Sequence, residues 1–332
     1  MHITIVPPRK AELCNSDGDD RFLGGIETAC LELSDALTLR GHDVSILGRP
    51  ASHRFARGLT DAELERSSGD ALLVCNDMRL LDKGSFTQRI LWIHNPLSFE
   101  KAFRKGQMLP IWSKRPPAVF LSTCSRDTFP SIFTFKSRTV IPYGVTEDFS
   151  AVYDQRSGPP RFAFVSQPQR GLKKVVEVFS TIVRAQQSDA EFHIFGSKPS
   201  DVGVTEETAR QFGIYFHSRT GKNVLADFYA GTTALFCVGA KDETFCLAAV
   251  EAQCAGLPVL TLGIGSLEER VSHGLNGLIA GSFEELAHQA VALCRDEELL
   301  LLLKAGAMKQ RGAFTWARSA KLWEAFLTSG EL

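Results

Sequence analysis

Two glutamates separated by seven residues form the strongest chemical pattern in the sequence. Glu243 and Glu251 are eight positions apart, which on a helix is about 80° past two full turns, so both carboxylates can address one side of a helix. The residues between them are mostly apolar, and a buried carboxylate is costly unless a hydrogen-bond donor satisfies it. Sugar and ribose hydroxyls are suitable donors. The structural alternative is a core helix with one acid at its start and one at its solvated edge.

A second pattern is cationic. Residues 166–171 form a polar turn that contains Arg170, and Lys173 and Lys174 follow at the start of a predicted helix. The free N–H groups of a helix start, the guanidinium fork of Arg170 and a lysine ammonium together suit a diphosphate. A solvated basic face is the alternative for these residues.

Two further candidates lie in the first half of the chain. Gly24 and Gly25 lie at the start of a predicted helix, where glycines let a ligand approach the backbone N–H groups. His94 follows a predicted strand and is followed by Asn95-Pro96, which places it at a strand's carboxyl end. The alternatives are a plain turn for the glycines and a structural histidine for His94.

Short apolar runs that alternate with helical stretches position these side chains. The pattern predicts buried parallel strands at 3–6, 44–47, 71–75, 90–93 and 119–122 in the first half, and at 162–165, 192–195, 214–217, 234–238 and 259–262 in the second. It predicts helices at 25–40 and from residue 172. The fold class is therefore α/β, with two doubly wound, Rossmann-like domains whose ligands bind outside the carboxyl ends of the strands.

The predicted domains are 1–150 and 151–312, with Ser-Gly-Pro-Pro at 157–160 as an interdomain linker. Helices predicted at 284–295, 297–309 and 314–327 follow without a strand between them. The last helix carries one apolar face formed by Trp316, Ala320, Trp323 and Phe326. Residues 313–332 are therefore expected to dock, either on the second domain or back on the first.

The composition excludes several classes of protein. The 332 residues are 44% apolar and carry a formal net charge of -1, which suits two globular cores and disfavours a disordered or nucleic-acid-binding chain. No apolar run approaches the roughly 20 residues of a membrane span, and residues 1–10 lack a secretory signal pattern. The eight cysteines contain no CxxC pair, and the spacing of Cys237, Cys246 and Cys254 is wide for zinc, so we expect reduced thiols in the cytoplasm. Cys14 is among these eight residues.

In these motifs and their order the sequence resembles a GT-B glycosyltransferase, in particular the retaining family 4. The segments that carry the resemblance are Gly24-Gly25-Ile26-Glu27, Ile141-Pro142-Tyr143-Gly144-Val145, Arg170-Gly171-Leu172, the two spaced glutamates, Gly256-Leu257-Pro258-Val259, and Glu269 with Gly274-Leu275-Asn276-Gly277. The resemblance implies two domains that face a cleft, with the acceptor on the first and the nucleotide sugar on the second.

The resemblance also implies roles for single residues. Glu251 would hold the ribose, and Glu243 would contact the donor sugar. Arg170, with Lys174 or the neighbouring Lys173, would neutralise the leaving diphosphate without a metal.

From the first domain, Gly24 and Gly25 would lie beneath the diphosphate, and His94 would lie near the reacting carbon. The leaving phosphate itself would accept the acceptor's proton in a front-face displacement.

Three features depart from the family pattern. The phosphate turn is shorter than usual, with Ser166-Gln167 in place of Gly-Arg, so phosphate binding depends on Arg170 and the adjacent lysines. Tyr143 replaces the asparagine of the usual Pro-Asn-Gly-Val. The first domain is short for the family, which indicates an unusual acceptor.

Basic charge is concentrated at 101–138, where eight basic residues stand against Asp127 alone, a net charge of +7. Phe99, Phe103, Leu109, Ile111 and Trp112 are interleaved with this stretch or flank it. The combination suits an anionic membrane face or an anionic acceptor, with a solvated helix pair as the alternative. No recognition motif for nucleic acid accompanies it.

The sequence therefore predicts a cytoplasmic, metal-independent hexosyltransferase without a cofactor, peripheral on the inner face of a membrane. It would transfer a hexose from a nucleoside-diphosphate sugar to a lipid-linked or polysaccharide acceptor, with retention of configuration. The alternatives are a nucleotide-sugar epimerase of the same fold and a catalytically silent module that binds nucleotide or glycan. A dehydrogenase is disfavoured, because the sequence has no dinucleotide-binding fingerprint.

Overall fold

Two all-parallel sheets, each in its own unit, organise the chain. The computed structural model describes residues 1–8, 13, 23–48, 50, 54–154 and 156–329, so Cys14 lies outside the described residues. The chain divides into a first unit, Met1–Gly144 with Thr315–Leu332, and a second unit, Val145–Phe314.

The first unit is built on a sheet of seven strands in the order β3-β2-β1-β4-β5-β6-β7. The strands are β1 (His2–Val6), β2 (Asp43–Leu47), β3 (Arg57–Leu59), β4 (Ser68–Cys75), β5 (Ser85–Trp92), β6 (Ala118–Phe120) and β7 (Arg138–Val140). Its helices are α1 (Gly25–Leu39), α2 (Asp61–Arg66), α3 (Phe99–Arg104), α4 (Met108–Lys114), α5 (Thr123–Asp127) and, from the end of the chain, α15 (Trp316–Thr328). Chain order reverses between β1 and β4, which pair in parallel. That switch point is where open α/β sheets bind ligands.

The second unit repeats this plan with six parallel strands in the order β10-β9-β8-β11-β12-β13. They are β8 (Arg161–Phe164), β9 (Glu191–Phe195), β10 (Ile214–His217), β11 (Ala234–Phe236), β12 (Val259–Thr261) and β13 (Gly277–Ile279). The helices are α6 (Glu147–Ser150), α7 (Leu172–Val178), α8 (Arg184–Gln186), α9 (Glu206–Gln211), α10 (Lys222–Ala230), α11 (Leu247–Cys254), α12 (Leu267–Arg270), α13 (Phe283–Arg295) and α14 (Glu297–Met308). A π-helical turn, Phe179–Val183, joins α7 to α8.

The predicted fold class is confirmed: both sheets are doubly wound, and every predicted strand is present. Sequence analysis missed β3, β7 and β13, which are three residues long and lie at sheet edges. Strands that are short and lack an apolar run have no periodic signal from which to be predicted.

The unit boundary lies six residues before the predicted one, at Gly144 rather than at residue 150. Residues 145–150 belong to the second unit because Phe149 on α6 is buried there, with its ring centroid 5.8 Å from that of Tyr229. Residues 157–160, the predicted linker, therefore lie inside the second unit, between α6 and β8.

The last helix, α15, packs within the first unit. Its Trp323 is buried, with its ring centroid 5.3 Å from that of Trp92 on β5. At its surface, Nε of Arg40 donates a 3.0 Å hydrogen bond to Glu324. The apolar face at Trp316, Trp323 and Phe326 is thus covered by the first unit's own sheet and by α1.

Candidate functional site

Arg170 and Glu243, which are 73 positions apart in sequence, form an ion pair in the second unit. Nη1 of Arg170 donates to Oε2 of Glu243, and its Nη2 lies 3.9 Å from Oδ1 of Asp242. The side chains remain partly accessible, at 24% for Arg170 and 16% for Glu243. A guanidinium has five N–H donors, so this pairing leaves donors for a second anionic partner.

Gly171 shapes the turn that presents Arg170. It lies in the left-handed region, with φ of 89°, and a Cβ at this position would lie 3.1 Å from the side chain of Val238. Only glycine adopts this conformation without strain. The turn thus leads directly from β8 into α7, and Arg170 is placed immediately before the helix start.

Glu243 lies in the loop before α11, which corrects the expectation that both glutamates share one helix. The helix begins at Leu247 because Cys246 adopts a left-handed conformation, with φ of 61°. Oε1 of Glu243 accepts a 3.0 Å hydrogen bond from the backbone N–H of Cys246. Glu243 is therefore held at the helix entrance by that N–H and by Arg170, rather than by a position on the helix.

Glu251 lies on α11 and is buried, with 4% of its surface exposed. Burial raises the pKa of this carboxyl group, and Lys222, whose Nζ donates to Oε1 of Glu251, opposes that shift. Lys222 is the first residue of α10 and follows Gly221. Sequence analysis missed it; a lysine at a helix start that follows a strand was the available signal.

The two lysines of α7 differ in their surroundings. Nζ of Lys174 donates a 2.9 Å hydrogen bond to Glu177, and that bond raises the pKa of Lys174. Lys173 is exposed and forms no ion pair with any residue that the structure describes. Lys174 is therefore paired with a residue of its own helix, whereas the ammonium group of Lys173 can still donate hydrogen bonds to a ligand.

Gly24 and Gly25 lie in the first unit, at the start of α1. Gly24 is the N-cap residue with extended backbone, and it provides no side chain to cap the helix. A Cβ at Gly24 would lie within 2.3 Å of Oε2 of Glu27. The start of α1 therefore presents backbone N–H groups without a capping side chain from Gly24.

His94 lies two residues after the end of β5, at the carboxyl edge of the first sheet, and 2% of its surface is exposed. Burial lowers its pKa to about 3, so the imidazole is neutral at physiological pH. Its Nδ1 is hydrogen-bonded to Oη of Tyr143, and the Tyr143 ring lies 5.9 Å from that of Trp316. Tyr143, which stands in place of the family's asparagine, thus orients His94, a role that sequence analysis missed.

A basic and apolar surface covers α3, α4 and the segment after α5. Its large apolar side chains are exposed, to 73% at Phe103 and 75% at Leu109, with Phe99, Trp112 and Ile132 also exposed. Ile111 is buried in the core. The aromatic residues here are therefore not the core of a helix pair, which was the structural alternative.

The cysteines of the second unit pack as small apolar side chains. The Sγ atoms of Cys237 and Cys246 are 3.3 Å apart, and both residues are buried. Within the described ranges, no group of three or more His, Cys, Asp or Glu side chains is arranged to hold a metal ion.

Comparison with solved structures defines the class of fold as GT-B. Anabaena HepE, solved with UDP and glucose, superposes with a TM-score of 0.73 over 98% of this chain and 99% of that chain, at 15% identity. A glycosyltransferase from Rickettsia africae superposes with a TM-score of 0.74 over 99% and 98% of the two chains, at 14% identity. At such identities the likeness concerns the fold.

Residues 145–310, half of the chain, match the family model "Glycosyl transferases group 1". The chain belongs to this family. A D-inositol 3-phosphate glycosyltransferase of Catenulispora acidiphila is 36% identical over 97 residues, which are 29% of this chain and 23% of that protein. Another, from Thermobispora bispora, is 33% identical over 105 residues, which are 31% and 24% of the two chains. The alignments thus span about a quarter of the length of these relatives.

Proposed function

We propose that this protein transfers a hexose from a nucleoside-diphosphate sugar to an acceptor, with retention of anomeric configuration and without a metal ion. The observation that carries the proposal is the ion pair between Arg170 and Glu243. The same unit also contains Glu251, which is buried and paired with Lys222. A cation for the diphosphate and two carboxylates for hydroxyl groups are the parts that a nucleotide-sugar site needs.

Arg170 stabilises the charge that develops on the leaving diphosphate. Glu243 already engages one nitrogen of the guanidinium and fixes its plane, so little reorganisation is needed when a phosphate oxygen approaches. Lys173 and the N–H groups that begin α7 add positive charge nearby. We assign Lys174 a weaker contribution than the sequence suggested, because Glu177 neutralises it.

The carboxylates bind the two sugars of the donor. Nζ of Lys222 donates a hydrogen bond to Oε1 of Glu251. Oε2 of Glu251 can then accept a hydrogen bond from a ribose hydroxyl. Glu243 accepts from the hexose through the oxygens that Arg170 and the Cys246 N–H hold in place. The acceptor hydroxyl attacks the anomeric carbon on the face that the diphosphate leaves, and its proton passes to a phosphate oxygen.

The basic and apolar surface of α3 and α4 supports binding of the protein to a membrane surface. Exposed Phe103 and Leu109 can enter the interface of a bilayer, while the neighbouring lysines and arginines are attracted to anionic headgroups. In the described part of the chain, no helix is long and apolar enough to cross a bilayer. We therefore propose peripheral attachment and a lipid-linked or polysaccharide acceptor.

Product analysis tests the reaction. Purified protein is incubated with UDP-, GDP-, ADP- and dTDP-hexoses in EDTA, and the anomeric proton of the product is followed by NMR. We expect transfer or slow hydrolysis that releases the hexose with its original configuration, and loss of that activity in Arg170→Ala. A sugar isomer formed without acceptor would identify an epimerase instead, and binding without turnover of any donor would identify a silent module.

Vesicle sedimentation tests the membrane surface. We expect the protein to pellet with phosphatidylglycerol vesicles and not with phosphatidylcholine vesicles. Phe103→Ser with Leu109→Ser should reduce the bound fraction several-fold, whereas Leu301→Ser, at an exposed leucine of the second unit, should leave it unchanged. Equal binding by the wild type, the double variant and Leu301→Ser would show that the surface of α3 and α4 does not bind the membrane.

A further inference from the structure

Arg270, the last residue of α12, packs against two aromatic rings of the second unit. Its guanidinium carbon is 4.6 Å from the ring centroid of Phe245 and 5.2 Å from that of Phe314. Only 9% of the side chain is exposed. A cation over an aromatic ring is attracted by the negative ring face, and the attraction strengthens when water is excluded. The two rings therefore hold the guanidinium in one place.

The side chain of Arg270 is bonded to the peptide group that orients Glu243. Nε of Arg270 donates a 3.2 Å hydrogen bond to the backbone carbonyl of Phe245. The N–H of the same peptide group belongs to Cys246, and it donates the 3.0 Å hydrogen bond to Oε1 of Glu243. Because a peptide group is planar, fixing its carbonyl also fixes the direction of its N–H. Arg270 therefore acts on the Glu243 carboxylate through one rigid peptide group.

The start of α12 makes a second contact with the same loop. The backbone N–H of Ser266, the N-cap residue of α12, donates a 3.2 Å hydrogen bond to the carbonyl of Glu243. The loop is thus fixed at Glu243 and at Phe245 from one short helix. Of these two contacts, the one from Arg270 is made by a side chain and can be removed by substitution.

The backbone of Arg270 is joined to the helix that carries Glu251. Its carbonyl accepts a 2.8 Å hydrogen bond from Nε2 of Gln253, which lies on α11 two residues after Glu251. It also accepts a 3.1 Å hydrogen bond from Nδ2 of Asn276. Gln253 and Asn276 are both buried. A single residue therefore links the loop of Glu243 to α11, and so relates the positions of the two carboxylates.

We propose that Arg270 is a positioning residue for the transfer reaction, which holds the peptide group before Cys246 and thereby aims Glu243 at the donor hexose. The inference rests on the proposed function, in which Glu243 contacts that hexose. In this role Arg270 does not itself touch the donor. A displacement of about 1 Å in a group that positions substrate can cost about 100-fold in rate. The nucleoside, bound through Glu251 on α11, should be affected much less.

Three variants of the full chain test this role. Arg270→Met removes the guanidinium and its N–H donors, whereas Arg270→Lys keeps a cation beside the rings but lacks the Nε–H group. Arg311→Met is the matched control, because Nε of Arg311 donates a 2.7 Å hydrogen bond to the backbone carbonyl of Cys254 at the end of α11. It removes a bond from an arginine to a carbonyl in the same unit, away from the loop of Glu243.

Kinetics and calorimetry separate positioning from stability. UDP, GDP, ADP and dTDP are titrated into each protein, and kcat is measured with the hexose conjugate of the nucleotide that binds. We expect Arg270→Met to lower kcat about 10- to 100-fold and Arg270→Lys about tenfold, with the Kd of the nucleoside diphosphate within about twofold of the wild type. Arg311→Met should also lower the thermal midpoint, but it should keep kcat within about twofold of the wild type.

Amide hydrogen exchange, followed by NMR, provides a measurement that does not need turnover. The Cys246 N–H should exchange at least about tenfold faster in both Arg270 variants than in the wild type, because its peptide group has lost the bond to Arg270. Arg311→Met should leave this rate unchanged. If Arg270→Met does not fold, Arg270→Lys serves for both comparisons.

The outcomes separate the role of Arg270 from the proposed function. If the wild type turns over a donor and the Arg270 variants match Arg311→Met in kcat, the positioning role is wrong and the proposed function stands. A wild-type exchange rate at Cys246 in the Arg270 variants would also overturn this role. If the wild type turns over no nucleotide sugar, the proposed function fails, while faster exchange at Cys246 still shows that Arg270 holds the peptide group beside Glu243.

Discussion

Replacing Lys222 by alanine leaves the buried Glu251 carboxylate without its cation. Breaking a fully buried ion pair costs about 3–5 kcal/mol. The Lys222 side chain is 33% exposed, so water can partly replace it, and we expect about 2–3 kcal/mol at pH 8. At about 2–4 °C per kcal/mol for a unit of this size, the thermal midpoint should fall by about 4–12 °C.

The loss should depend on pH, because Glu251 can take up a proton in place of its cation. Burial raises the pKa of Glu251 above the ordinary value of 4.5, and removal of Lys222 takes away the interaction that lowers it. The folded state then binds more protons than the unfolded state, and stability is lost as the pH rises through the raised pKa. The loss of unfolding free energy in Lys222→Ala, relative to the wild type, should therefore be smaller at pH 5 than at pH 8.

Scanning calorimetry at pH 5 and pH 8 measures both effects. Lys174→Ala, which breaks the exposed pair with Glu177, is the control and should melt close to the wild-type midpoint at either pH. Adding Glu251→Gln to Lys222→Ala removes the stranded charge, so the double variant should melt above the single one at pH 8. If the two melt together and Lys222→Ala shows no dependence on pH, our account of Glu251 is wrong.

Other substitutions test the reaction. Arg170→Ala and Glu243→Gln should each lower kcat/KM by about 100-fold or more. Their thermal midpoints should fall less than that of Lys222→Ala, since Glu243 is more exposed than Glu251 and keeps its hydrogen bond from the Cys246 N–H. A variant with near-full activity in a donor-turnover assay would show that the residue does not have the proposed role. Tyr143→Phe keeps the packing on Trp316 but removes the hydroxyl at His94, so kcat should fall about tenfold with the KM for donor unchanged. Because the pKa of His94 is about 3, its neutral form contributes stability above the ordinary pKa of 6.5 that is lost as the pH falls toward 3. A His94→Asn variant should accordingly lose less stability than wild type between pH 7 and pH 5, and equal losses would contradict this.

The interior strands and the long helices were predictable from sequence because burial on both faces leaves continuous apolar runs. The predicted helix 25–40 is observed as Gly25–Leu39, and strand 214–217 has the same bounds in the structure. The start of α11 was not predictable, because the left-handed backbone of Cys246 has no signature in residue type. The same conformation moves Glu243 off the helix.

The partners of the candidate residues were also beyond local sequence reasoning. Lys222 is hydrogen-bonded to Glu251, 29 positions away in the sequence, and Tyr143 is hydrogen-bonded to His94, 49 positions away. Such contacts depend on how strand ends are brought together at one edge of a sheet. Residue types therefore identified the candidate carboxylates and the arginine, while the groups that hold them in place became evident only from the fold.

Nucleotide binding is the most direct test of the central claim. The thermal midpoint of the purified chain is measured with UDP, GDP, ADP, dTDP, CMP and NAD in the presence of EDTA. We predict that one nucleoside diphosphate raises the midpoint, with about 2.7 kcal/mol of stabilisation at 100 times its dissociation constant, and that Glu251→Gln loses this shift. A shift with NAD alone, or none with any nucleoside diphosphate, would contradict a nucleotide-sugar site in the second unit.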